Sequence, residues 1–221
     1  DKKAAKGQLS AYRWHPWLLG PNILFSISSI VGNLMTVLAF LGHKTNQRPG
    51  NFVICNLAVS DFVSGLISVY FSYNSFTVIG MESLSHNKYG CLIALATVYL
   101  FVHSSLFTRI AISCERLFAV SQPLLHLKYM TKTVSKATIC CLWTLTLILS
   151  CLPLAGLNAW KPGACLAVTV MNKQVLNFMY LAQPAVCLFI VAVLNLITII
   201  ILSRKSSNEN TCIHICTCIW P

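Results

Sequence analysis

The amino-acid sequence predicts an all-α integral membrane protein, and three observations carry that prediction. Hydrophobic residues make up 56% of the chain and charged residues only 10%, whereas a soluble domain carries roughly a quarter of its residues as charges. Five apolar segments are each long enough to cross a bilayer, which takes ~20 residues at ~1.5 Å of helical rise. Most charged residues fall between those segments rather than within them. A backbone facing lipid must satisfy its own hydrogen bonds, so helices or a closed barrel are the only choices. The alternating segments of about ten residues that a barrel requires are absent.

The first span, residues 17–41, carries no charge, and the second, 52–79, carries one, Asp61. The third, 91–120, contains Arg109 and ends in Glu115-Arg116; the fourth, 137–155, and the fifth, 175–202, are free of charge. Polar linkers occupy 43–50, 82–90, 122–136 and 160–173. Residues 1–16 form an N-terminal tail. No short apolar stretch ending in a small-residue cleavage site precedes the first span, which is expected to act as its own insertion signal. Residues 206–221 form a second tail, polar and then rich in cysteine, whose last eleven residues are too few to span a bilayer. The chain is therefore expected to hold five spans.

Sixteen basic residues against five acidic ones leave a formal charge of +11. In a soluble protein that balance would suggest nucleic acid; between apolar spans it points to phospholipid head groups instead. One side of the membrane would hold Lys44, Arg48, Arg116, Lys128, Lys132, Lys136, Arg204 and Lys205. The other would hold Lys88, Lys161 and Lys173 in its loops, with Lys2, Lys3, Lys6 and Arg13 in the tail. Short loops weigh most in setting orientation, so the first group is expected in the cytoplasm and the N-terminus outside.

Polar residues inside the spans are the first candidates for function. Counted along their helices, Asn33, Asp61 and Ser105 share one depth, ~15 Å above the cytoplasmic rim. A carboxylate there is costly against lipid, so Asp61 must face the bundle interior and find partners. The alternative is a polar contact that only joins helices. Arg109 lies one turn beyond Ser105 and on nearly the same face as Arg116. It is expected either to reach Asp61 as a buried ion pair, taking the place of a cation, or to snorkel toward the cytoplasmic rim.

Eleven cysteines are scattered mostly through apolar runs, where a thiol behaves as a small hydrophobe. Two stand apart. Cys91 and Arg116 bracket the third span, and the twenty-five helical steps from one to the other cover ~37 Å of helix, so they lie on opposite membrane faces. Counting crossings places Cys165, between the fourth and fifth spans, on the Cys91 side. That side is the one assigned to the exterior, where disulfides persist. A Cys91–Cys165 bridge is expected, two free thiols being the alternative. No Asn-x-Ser/Thr acceptor occurs, so N-glycosylation is not expected.

Taken together and in order, several motifs resemble those of the rhodopsin-like G-protein-coupled receptors, over roughly residues 17–205. Gly32-Asn33 resembles the first-helix signature, and Asn56-Leu57-Ala58-Val59-Ser60-Asp61 that of the second helix. Cys114-Glu115-Arg116-Leu117 resembles the acidic-Arg-aromatic triplet, with Leu117 in place of the aromatic. Pro123 matches the second cytoplasmic loop, and Trp143 and Pro153 match the fourth helix. The resemblance implies a heptahelical receptor bundle of which about five helices are present, at the plasma membrane. It implies an extracellular small-molecule or peptide ligand, a heterotrimeric G protein, and pairing with further receptor copies. It also implies that Glu115 pairs with Arg116 at rest, that Asp61 and Ser105 hold a sodium ion, and that Val98, Tyr99, Val102 and His103 face the ligand. His103 would either donate to a polar ligand or make an interhelical contact.

Within the family the run from Cys91 to Arg116 is most similar to adenosine receptors, as is the turn from Leu152-Pro153 to Gly156-Leu157-Asn158. Amine receptors keep an Asp where Val98 stands, which argues against an amine. Ala167 and Val168 replace the aromatic and acid with which adenosine receptors hold a purine, so the ligand stays unassigned. Helices six and seven are not found, and Ile219-Trp220-Pro221 resembles the sixth-helix Trp-Pro only by coincidence. A non-signalling membrane protein that associates with full-length receptors is the alternative reading. An enzyme or transporter is not expected, because the spans hold no His/Asp catalytic set, no paired broken helices and no second buried acid. No cofactor is implied.

Overall fold

The computed structural model describes residues 16–42, 49–76, 87–161, 165 and 167–219. The N-terminal tail, Lys44, Arg48 and Val168's side chain lie outside what is described. Eight α-helices appear among these residues: α1 (Pro16–Gly42), α2 (Pro49–Phe76), α3 (Lys88–Ser121), α4 (Pro123–Tyr129), α5 (Lys132–Cys151), α6 (Ala167–Val170), α7 (Lys173–Leu176) and α8 (Gln183–Ile219). A π-helical turn, Asn177–Ala182, joins α7 to α8, so these three pieces form one rod. Five helical segments have the length and apolarity to cross a membrane: Leu19–Gly42, Pro49–Tyr73, Lys88–Ser121, Lys132–Cys151 and Lys173–Ser206. The protein is a multi-pass membrane protein built as an all-α bundle.

The third span is the axle. α3 packs against α2, α5 and α8, while α1 reaches the bundle through α2. Half of the third span's apolar window is buried, 50%, against 6% for the first span. Outward-facing Phe25, Met35, Leu38 and Leu41 on α1 remain exposed, as an apolar surface meeting lipid must. α1 approaches α2 closely at Gly65, where a Cβ would press on the side chain of Ile30 and the backbone oxygen of Ser26.

Helix ends follow local chemistry. Prolines open α1, α2 and α4, at the position where a missing N–H costs nothing. Asn87 caps α3 by accepting from the Gly90 N–H at 3.1 Å, and Thr131 caps α5 by accepting from the Val134 N–H. That cap moves the start of the fourth span five residues ahead of the expected 137, to Lys132. The span ends early as well, at Cys151, because the chain turns at Pro153 and Gly156. Gly156 adopts φ +113°, which a side chain would strain. The linker 122–136 is not fully irregular, since α4 lies inside it. The fifth helix continues past the expected end at 202, through the polar stretch to Ile219.

Above α3 the chain between the fourth and fifth spans folds down as a lid. The Ala159 N–H donates to the Val170 oxygen at 2.7 Å, and Asn158 pairs with Met171 in a single antiparallel bridge. Cys91 and Cys165 are joined as a disulfide, with their Cα atoms 5.7 Å apart. Beneath it Cys91, Leu92, Leu95, Tyr99, Val170, Met171 and Met179 form one buried apolar cluster.

Candidate functional site

Three layers of side chains follow one another down α3. In the lid-side layer, a cavity of about 310 Å³ opens between α2 and α3. Ser64, Ser68 and Phe71 line it from α2, Val98 and Val102 from α3, and Tyr180 from the π-helical turn. No charged side chain lines it. Of the four positions expected to face a ligand, Val98 and Val102 do border this cavity; Tyr99 and His103 do not. The reason is angular: successive residues turn by ~100° about a helix, so the two pairs point to different neighbours. Tyr99 and His103 face the fifth span, with the Tyr99 ring 4.5 Å from that of Tyr180 and 5.4 Å from His103. Both are almost wholly buried, at 1% and 2% exposure.

The middle layer holds the charges. Arg109 Nη2 lies 3.0 Å from Asp61 Oδ2, joining α3 to α2. Neither charge is sealed away, the Asp61 side chain being 19% and that of Arg109 42% exposed. Asn33 stays on its own helix, donating to the Ser29 oxygen at 2.8 Å, and Ser29 Oγ donates to the Asp61 backbone oxygen at 3.2 Å. Asn33 therefore touches the layer through a serine rather than through the carboxylate. Ser105 is buried and its hydroxyl has no hydrogen-bond partner.

Sequence reasoning missed the polar clasp beside this pair. Asn56 donates to the Thr108 hydroxyl at 3.2 Å and accepts from Trp143 Nε1 at 2.8 Å, tying α2, α3 and α5 through one amide. Ser60 and Ser104 meet at 3.2 Å one turn above. Asn56, Ser60 and Trp143 all belong to the helix motifs above, and the signal for the clasp is that each brings a polar group into an apolar span, where it must be matched.

The layer at the Arg116 end of α3 differs from what the resemblance implied. Glu115 does not take Arg116 as its partner. Its carboxylate lies 3.8 Å from His126 Nε2 on α4 and covers Gly50 at the start of α2, where a Cβ would collide with it. Adjacent residues on a helix diverge by ~100° and do not face each other, and the Glu115 carboxylate lies nearest residues of other elements. The His126 ring stands edge-on to Phe118, at 5.7 Å. Arg116 is exposed. Nearby Lys205 donates to the Val120 backbone oxygen at 2.6 Å, fixing α8 to the end of α3. Leu124 and Leu127 on α4 are 82% and 78% exposed, an apolar pair beside Arg116's end of the helix.

Residues 32–218 match the family described as 7 transmembrane receptor (rhodopsin family). The chain belongs to the rhodopsin family of seven-transmembrane receptors. Adenosine receptor A2b of Gallus gallus is 27% identical over 141 residues, 64% of this chain and 40% of that protein. A probable G-protein coupled receptor, No9 of Amphibalanus amphitrite, is 31% identical over 137 residues, 61% of this chain and 27% of that protein. Melanopsin-B of Xenopus laevis is 27% identical over 170 residues, 73% of this chain and 30% of that protein. The chain thus spans less than half the length of the curated relatives it matches. The disulfide and the ordered polar layers down α3 are what this rhodopsin-family chain offers as a site.

Proposed function

We propose that this chain takes part in a G-protein-coupled receptor of the plasma membrane that senses an extracellular small molecule or peptide. Its N-terminus lies outside the cell, and Arg116 faces a heterotrimeric G protein inside it. One observation carries the reading: α3 bears the bridged Cys91 at one end and exposed Arg116 at the other, ~37 Å of helix apart. A rod of that length joins an oxidising exterior to the cytoplasm. Arg116, with exposed Leu124 and Leu127, gives the cytoplasmic end a cationic and apolar face for a protein partner.

The ligand reading is of an uncharged molecule. Val98 stands on the cavity wall and the cavity has no charged lining, so a cationic amine would find no counter-charge there. The residues do not fit a sodium ion between Asp61 and Ser105. The Arg109 guanidinium already meets the Asp61 carboxylate at 3.0 Å, and its charge repels a second cation from that oxygen. Arg109 and Asp61 then act as a built-in substitute for such an ion, holding α2 against α3.

Nucleotide exchange on heterotrimeric G proteins, in membranes bearing the chain, tests the proposal. Exchange above that of control membranes, lost in Arg116→Ala, is the expected result. Silence from a chain that inserts correctly would favour a non-signalling partner of full-length receptors.

A further inference from the structure

The break between α4 and α5 presents a hydroxyl that the receptor reading leaves unused. Thr131 is exposed, and among the described residues at the Arg116 end it is the one Ser or Thr whose backbone is not helical. Its φ of −102° and ψ of 162° are extended, and Met130 before it, with φ −81° and ψ 86°, is not helical either. Lys128 stands three residues before it and Lys132 directly after it, both exposed. We propose that Thr131 is a phosphorylation site for a protein kinase that selects basic flanks, and that Lys128 and Lys132 then hold the phosphate.

The two lysines meet no carboxylate among the described residues. Lys128 Nζ lies over the Tyr129 ring at 5.5 Å and Lys132 Nζ over that of Phe52 at 5.9 Å. The carboxylates whose side chains are described, Asp61 and Glu115, face Arg109 and His126, and the sequence has no acidic residue between Glu115 and Glu209. A hydrated ammonium gains little from an aromatic face, so a dianion beside it takes its place. Phosphate brings a charge of about −1.5 to −2 and three acceptor oxygens. Two of these suit the lysines. The third suits the Val134 N–H, from which Thr131 Oγ1 accepts at 3.3 Å. Basic residues on both sides of a hydroxyl are also a charge pattern by which kinases choose their substrates.

The hydroxyl is within a kinase's reach. α4 has seven residues and none of them is buried, so opening this short helix costs few contacts and lets the chain around Thr131 lie extended. Ser121, Thr133 and Ser135 are held on helical backbone, and Ser135 is fully buried. In the transfer, Thr131 Oγ1 bonds to the γ-phosphorus of a nucleoside triphosphate as that phosphorus parts from the oxygen of the β-phosphate. The nucleoside diphosphate leaves, and the hydroxyl proton passes to the kinase's catalytic carboxylate. The phosphate then neutralises part of the charge of Lys128 and Lys132, so the face turned toward a G protein becomes less cationic and coupling falls. The proposal rests on the receptor reading only for placing this break in the cytoplasm, where nucleoside triphosphate is found.

The test incubates the full chain, in lipid nanodiscs open on both faces, with γ-labelled ATP, magnesium and the catalytic domain of a lysine- and arginine-directed protein kinase. Mass spectrometry is expected to find phosphate on Thr131. Thr131→Asn, which keeps a capping side chain without the hydroxyl, should lose it, and Thr131→Ser should retain it. Lys128→Gln should slow the incorporation. In the phosphorylated chain an amine reagent should modify Lys132 about threefold more slowly than in the unmodified chain, the worth of an exposed ion pair. No phosphate on Thr131, or equal incorporation in Thr131→Asn, would overturn the proposal. Phosphate on Thr131 with unchanged reactivity of Lys132 would overturn the role given to the lysines. No G protein enters this experiment and neither face is hidden, so its failure and a failure of nucleotide exchange are separate results.

Discussion

The two flanks of the third span are built on opposite rules. On the α2 side most polar groups meet partners, Ser105 excepted: Arg109 with Asp61, Asn56 with Thr108 and Trp143, Ser60 with Ser104. On the α8 side Tyr99, His103 and Gln183 lie buried against aromatic and apolar neighbours, Tyr99 packed on Tyr180. A matched polar network in an apolar medium fixes one arrangement of helices, because breaking any member strands the others. The first flank is a frame held by hydrogen bonds and an ion pair, the second is held by packing, and substitutions on the two should behave differently.

The largest effect should come from the staple that both flanks share. Replacing Cys165 with Ser opens a closed loop of 74 residues, and the loss should be about 4 kcal/mol by loop-closure entropy, read as a lowered unfolding midpoint in detergent. On the frame, Asp61→Ala should cost about 3 kcal/mol by leaving Arg109 unpaired. Adding Arg109→Leu should recover much of that loss, since an apolar pair tolerates the site better than a lone charge. A double-mutant cycle showing additive losses would remove the ion pair from the frame. Asn56→Ala should follow at about 2 kcal/mol, with Thr108 and Trp143 losing their shared amide. Gly65→Ala should cost about 1–2 kcal/mol by pushing α1 off Ile30 and Ser26. The smallest effect belongs to the other flank. Gln183→Met, of similar volume and without an amide to bury, should change stability by less than about 1 kcal/mol. A loss as large as that of Asn56→Ala would erase the distinction between the flanks.

The five spans were legible because a bilayer enforces length and apolarity, and sequence displays both. Their ends were less so. The fourth span begins at Lys132 because Thr131 caps it, and a cap is a local device that an apolar count passes over. The π-helical turn leaves no mark in composition. In the site, equal depth was enough to bring Asp61 and Arg109 into the same layer, since both belong to long regular helices. The Glu115 contact was not legible. His126 lies on α4, a short helix inside a linker, and its approach depends on how that linker folds. Tyr99 and His103 were grouped with Val98 and Val102 by family spacing. The turn of ~100° per residue separates the pairs, and only the neighbours around α3 show what each pair meets.

The assignment of outside and inside underlies both the frame and the site, and α3 is where it is most directly measured. Lys88 opens that helix and Lys128 lies in α4 just beyond its other end, both exposed. Intact cells treated with a membrane-impermeant amine reagent should modify Lys88, as judged against Lys88→Arg. Lys128 should react only after permeabilisation, judged against Lys128→Arg. Modification of both residues from the same side would contradict the threading of α3 and the receptor reading with it.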